Sequence, residues 1–160
     1  MKRIIGIAVV LSLGIGIFLW QADRYPGASE SKKQTEEVSH LDIKVQQALE
    51  GLQDGSVPPM QAIGMLREVV DEDSTHFAAL LSLGLMSMRT GQYDKAVGRF
   101  ETLLRHYDNE ARVLDAAADA YLAVGDTAKA VDLIEQMLTL NLDQEVREAL
   151  EKTLTSLKTN

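Results

Sequence analysis

Apolar residues are arranged in three ways along the chain. From Ile4 to Trp20 they form a run of 17 positions without a charge. From Gln21 to Ser39 they nearly vanish, and the stretch QADRYPGASESKKQTEEVS has no apolar period. Beyond it they recur at three- and four-residue steps, as in Leu80 and Leu83, with the small Ser87 next in step, then Val97, Phe100 and Leu104. That spacing places them on one face of an α-helix. The pattern predicts a hydrophobic anchor over residues 1–22, a flexible linker over 23–39 and an all-α domain over 40–160.

The first run would be about 25 Å long as a helix, at the short end of what crosses a bilayer. Met1-Lys2-Arg3 followed by apolar residues also describes a signal peptide. A cleavable one needs small residues before the cut, and Leu19-Trp20-Gln21-Ala22 puts a bulky ring there. No cysteine exists to accept a lipid. An uncleaved transmembrane helix through residues 4–22 is therefore expected, with Trp20 and Tyr25 at the interface. A buried core helix does not fit, because the run is apolar on every face and the remaining chain is too small to surround it. Lys2 and Arg3 favour a cytoplasmic N-terminus, against Arg24, Lys32 and Lys33 on the other side. The expected topology is single-pass, with the helical domain outside the cytoplasm. The polar stretch cannot bury enough surface to offset its ordering entropy, so it reads as a tether.

Two segments of the helical domain superpose at a spacing of 34 residues. Gly91, Lys95 and Ala96 match Gly125, Lys129 and Ala130, and Phe100, Leu103 and Leu104 match Ile134, Met137 and Leu138. Counting back another 34 reaches Ala62, Ile63, Leu66, Val69 and Val70 in the same phase. The glycines suit the left-handed end of a first helix. Ala96 and Ala130, with Gly84 and Ala118, suit close approach of two helices. Phe100 and Ile134 are expected to fill the space between neighbouring pairs.

A 34-residue helix–turn–helix period with these residues resembles the tetratricopeptide repeat (TPR) family. Residues 77–110 carry its signature at Leu80, Leu83, Gly84, Gly91, Tyr93, Ala96 and Phe100. Residues 111–144 carry it at Leu114, Ala118, Tyr121, Gly125, Ala130 and Ile134. The stretch 43–76 fits only in its second helix, with Glu50 where a small residue belongs and Gly55-Ser56-Val57-Pro58-Pro59 in place of the usual turn. It reads as a degenerate end repeat. Asp143 to Lys158, amphipathic through Val146, Leu150, Leu154 and Leu157, resembles the family's capping helix with Asp143 as N-cap. The resemblance covers about 43–158. It implies a right-handed superhelix of about three helix pairs plus the cap, similar in outline to small bacterial membrane-anchored TPR proteins.

Composition narrows the chemistry. The absence of cysteine removes disulfides, thiolate zinc sites and a cysteine nucleophile. The formal charge is −8, and the segment after the anchor is more acidic still, which argues against nucleic-acid binding. His40, His76 and His106 have no second ligand at helical spacing, so no metal site is expected. Asp71-Glu72-Asp73-Ser74-Thr75 starts like a calcium loop but lacks its glycine and terminal glutamate; a solvated turn, with Ser74 or Thr75 capping the next helix, is the simpler reading. Glu50 and Asp54 share a helix face without a nucleophile or positioning partner. No cofactor and no enzymatic activity are expected.

In the TPR family ligands bind the concave face made by the first helix of each pair. Carried onto this chain, that face comprises Leu81, Leu85, Met88 and Arg89, then Arg112, Asp115, Asp119 and Leu122. Leu81 and Leu85 could equally be core. They also stand where the chaperone-binding members place a carboxylate clamp, so that specificity is not expected. The resemblance implies a membrane-anchored scaffold or adaptor that holds a protein or peptide in its groove. The alternative is a structural subunit or assembly factor of a stable cell-envelope complex.

Overall fold

The computed structural model describes residues 39–159. The expected anchor, and the expected linker apart from Ser39, lie outside the described residues. Among the described residues no helix is long and apolar enough to cross a membrane.

The described residues form seven helices and no strand. They are α1 (His40–Asp54), α2 (Pro59–Glu72), α3 (Phe77–Arg89), α4 (Tyr93–His106), α5 (Ala111–Ala123), α6 (Thr127–Leu138) and α7 (Gln144–Thr159). Consecutive helices pack on each other throughout. The core is a string of three clusters. The first joins α1, α2 and α3 through Val45, Ala48, Leu66 and Leu83. The second joins α3, α4 and α5 through Leu80, Phe100, Leu103 and Val113. The third joins α5 and α6 through Tyr121 and Ile134, with Leu150, Leu154 and Leu157 of α7 packed against it. Each pair therefore depends on its neighbours to bury its apolar face, as in any solenoid.

The turns follow the residue chemistry. Gly91 and Gly125 have φ of 71° and 83°, a left-handed backbone that a side chain would strain. Asp126 then caps α6, its Oδ1 accepting the Lys129 N–H at 3.1 Å. Gly84 answers a different need. A Cβ there would lie 2.4 Å from Cε1 of Phe100, so only glycine lets the ring approach α3 this closely. Ala96 and Ala130 are fully buried where the paired helices meet. Replacing Ala130 by leucine should overpack that contact and lower stability by roughly 1–3 kcal/mol, read from a chemical melt.

Two expectations need correction. The first concerns the end repeat, which is a complete helix pair. Gly55 ends α1 with φ of 79° and stands seven residues before Ala62, whereas Gly91 stands five before Ala96. The turn is two residues longer, so counting by 34 misplaces α1. Counting from the glycine puts Ala48, fully buried, opposite Gly84, and leaves Glu50 exposed on the outside. Val57 folds this longer turn back onto α1, its N–H donating to the Gly51 carbonyl at 2.8 Å. Pro59 then opens α2, where its missing N–H has no cost.

The second concerns the cap of α3, which is neither Ser74 nor Thr75. The Asp73 carboxylate takes the Thr75 N–H at 2.9 Å and the Thr75 hydroxyl at 2.8 Å, and this turn brings His76 to the cap position. Its Nδ1 accepts the Ala79 N–H at 3.4 Å. The two Thr75 bonds hold the Asp73 carboxyl below its ordinary range. Asp143 directly precedes α7, its carbonyl accepting the Arg147 N–H at 3.0 Å.

A candidate protein-binding wall on the first helices

First helices touch across repeats: α1 meets α3, and α3 meets α5. The second helices α2, α4 and α6 do not touch one another. A ribbon whose one edge is drawn together curves toward that edge. The first helices therefore line its concave side.

The eight wall residues behave differently from one another. Leu81 and Met88 are half-buried against the cluster around Phe100, and Leu122 against the cluster around Ile134. Leu85 is 45% exposed and stands free of the core. Arg89 lines an apolar cavity of about 530 Å³ between α1, α2 and α3, with Leu49, Leu52, Pro59, Ile63 and Met86. Arg112 and Asp115 line another of about 520 Å³, between α5 and α7. The wall is thus a central strip, Leu85 to Asp119, flanked by two apolar hollows. Neither hollow was legible in the sequence, because each depends on which helix faces the packing leaves uncovered.

The wall's two arginines and two aspartates form no ion pair with one another. Arg112 does not neutralise the aspartates. Its Nε donates to Glu110 Oε1 at 2.8 Å, and its guanidinium lies 5.1 Å from the centre of the Phe77 ring. Phe77 in turn meets Tyr107 edge-on, with ring centres 4.8 Å apart. This aromatic pair holds Arg112 through the ring quadrupole. The sequence signal for it was faint: Phe77 stands one full repeat before Ala111, the residue next to Arg112.

Asp119 stands one helical turn from Asp115. Its carboxyl is pushed above the ordinary range, first by lost hydration among the surrounding walls and second by the Asp115 charge. The charged form is the disfavoured one, so folding is favoured by protonation. That contribution is full at low pH and is lost as pH rises through the raised value. Asp119→Asn should therefore raise the melting temperature at neutral pH, and the gain should shrink as pH falls toward the ordinary carboxylate range. A gain independent of pH would contradict this account.

Four other polar groups singled out in the sequence have structural partners. His40 pairs with Glu72 at 2.9 Å and His76 with Asp42 at 3.2 Å, tying the start of α1 to the α2–α3 turn. Glu50 accepts from Gln46 at 2.7 Å and Asp54 from Ser56 at 2.8 Å. Among the described residues no group of three or more histidine and carboxylate side chains could hold a metal. Tyr121, buried on α5, donates to Glu101 at 2.7 Å, and burial with that bond pushes its phenol up to about 12.

The family model described as tetratricopeptide repeat matches residues 79–114 and 113–148. This chain carries TPRs. Solved structures agree on the fold. The Yersinia enterocolitica type III secretion translocator chaperone SycD matches with a TM-score of 0.64 at 21% identity, over 79% of this chain and 90% of that one. SycD in complex with a peptide of the translocator YopD matches with a TM-score of 0.59 at 22% identity, over 76% and 92%. A TPR protein from Parabacteroides merdae matches with a TM-score of 0.58 at 19% identity, over 72% and 47%. At these identities the likeness shows the fold. No curated protein matches the sequence significantly. The helix pair α1–α2, which lies before the matched TPRs, extends the same helix–turn–helix arrangement.

Proposed function

We propose that this TPR chain is a non-catalytic scaffold or adaptor that binds a protein or peptide segment along the wall formed by α1, α3 and α5. The observation that carries the reading is the wall itself. It has an exposed apolar residue, Leu85, at its centre and an apolar hollow on either side. Water is poorly accommodated on such a surface, and an extended or helical segment would cover it. The SycD structure with a YopD peptide supports the reading by analogy of fold.

The site of action is the bacterial cytoplasmic membrane, with the run through residues 4–22 as anchor and the TPRs outside the cytoplasm. The uncharged run from Ile4 to Trp20 and the basic pair Lys2-Arg3 support this. Tethering raises the effective concentration of any partner in the same membrane. Protease added to intact spheroplasts should remove the TPR domain. Protection until the cells are lysed would reverse the topology.

Sizing of complexes purified in mild detergent separates this function from that of a fixed envelope subunit. An adaptor exchanges its ligand and runs mainly as the free protein. A single stoichiometric complex that survives dilution would favour the subunit.

A further inference from the structure

α7 spans 16 residues, is amphipathic and buries none of them fully. Its apolar stripe is only partly covered by α6, and Val146 is 44% exposed. The hollow between α5 and α7 is floored by Met137, Leu142, Val146 and Leu150. Asp115 and Glu145 stand on its rim, and Asp119 lies one turn further along α5. Among the described residues none of these three carboxylates forms an ion pair. The one cation at the rim, Arg112, is already held by Glu110 and Phe77.

We infer that the hollow between α5 and α7 is an anchoring subsite for a partner segment that inserts one apolar side chain and sets a lysine or arginine beside Asp115 and Asp119. The inference rests on the groove reading above and names the chemistry of its ligand. Charge complementarity selects the occupant. An uncharged apolar segment would cover the carboxylates without replacing their water, and an acidic one would be repelled. A basic side chain satisfies both, and its charge offsets that of Asp115, which adds to lost hydration in raising the Asp119 carboxyl. The opposite hollow carries Arg89, which forms no ion pair among the described residues. A segment spanning both hollows would therefore lie with its basic end on α5–α7.

The test uses the full-length protein in nanodiscs, with its Ile, Leu, Val and Met methyl groups labelled for NMR. The probes are short capped peptides on a Gly-Ser background, one carrying leucine with lysines and one carrying leucine with glutamates. The leucine–lysine peptide should shift the methyl signals of Met137, Val146 and Leu150. It should bind about tenfold more tightly than the leucine–glutamate peptide, as a few partly shielded ion pairs would provide. Asp115→Asn with Asp119→Asn should abolish that preference without lowering the melting temperature. Equal or tighter binding of the glutamate peptide overturns the inference, as does the absence of shifts at these three residues. Shifts confined to Leu49, Ile63 and Leu85 would overturn it while leaving the groove reading in place. Shifts confined to outward methyls of α2, α4 and α6 would overturn both.

Discussion

Phe100→Ala should lower the stability of the helical domain by about 3–5 kcal/mol, the largest effect expected of any single truncation here. The ring is fully buried in the cluster that joins α3, α4 and α5. It packs closely against Gly84, which has no side chain to move into the space. The loss therefore combines the transfer term with an uncollapsed cavity. A solenoid has no second core to compensate, since each pair is held only by its neighbours. A urea melt followed by circular dichroism measures the change. A loss below about 1 kcal/mol would mean that the ring does not join the repeats as described.

Asp115→Lys combined with Asp119→Lys should weaken partner binding by on the order of 2–4 kcal/mol, because attraction to a basic side chain becomes repulsion. The same change should leave the melt nearly unaltered or slightly improved. Neither aspartate has a cation partner to lose, and the charged form of Asp119 is the disfavoured one in the folded protein. Arg112 is a poorer probe. Reversing its charge would also break its bond to Glu110 and its contact with Phe77, so binding and folding would change together. Binding that survives the double reversal, measured with the native partner, would remove these aspartates from the interface.

Much of the fold is legible in the chain because local chemistry repeats with it. Gly91 and Gly125 adopt the left-handed turns that their spacing implies, Ala96 and Ala130 are buried at the helix contacts, and Phe100 and Ile134 fill the space between pairs. The expectation for α1 failed for a definite reason. A fixed 34-residue count assumes turns of equal length, and the turn at Gly55 is two residues longer. Gly55 itself was the better landmark, since it and Ala48 keep the seven-residue separation seen between Gly91 and Gly84. The wall was legible as a set of positions but not as a surface. Leu81 and Leu85 look alike in the sequence, yet one leans on the core and the other stands clear. Helical spacing places Arg112 near Asp115, while its real partners, Glu110 and Phe77, lie off that face of α5. Which carboxylates remain without a cation is a tertiary outcome that spacing does not encode.

The central claim is that the first-helix wall, and not the outer face, holds the partner. A photo-crosslinking amino acid placed at Leu85, and separately at the exposed Asp132 of α6, tests it most directly in the native membrane. The account predicts a discrete adduct from position 85 and none from position 132. An adduct from position 132 alone would contradict it and place binding on the second helices.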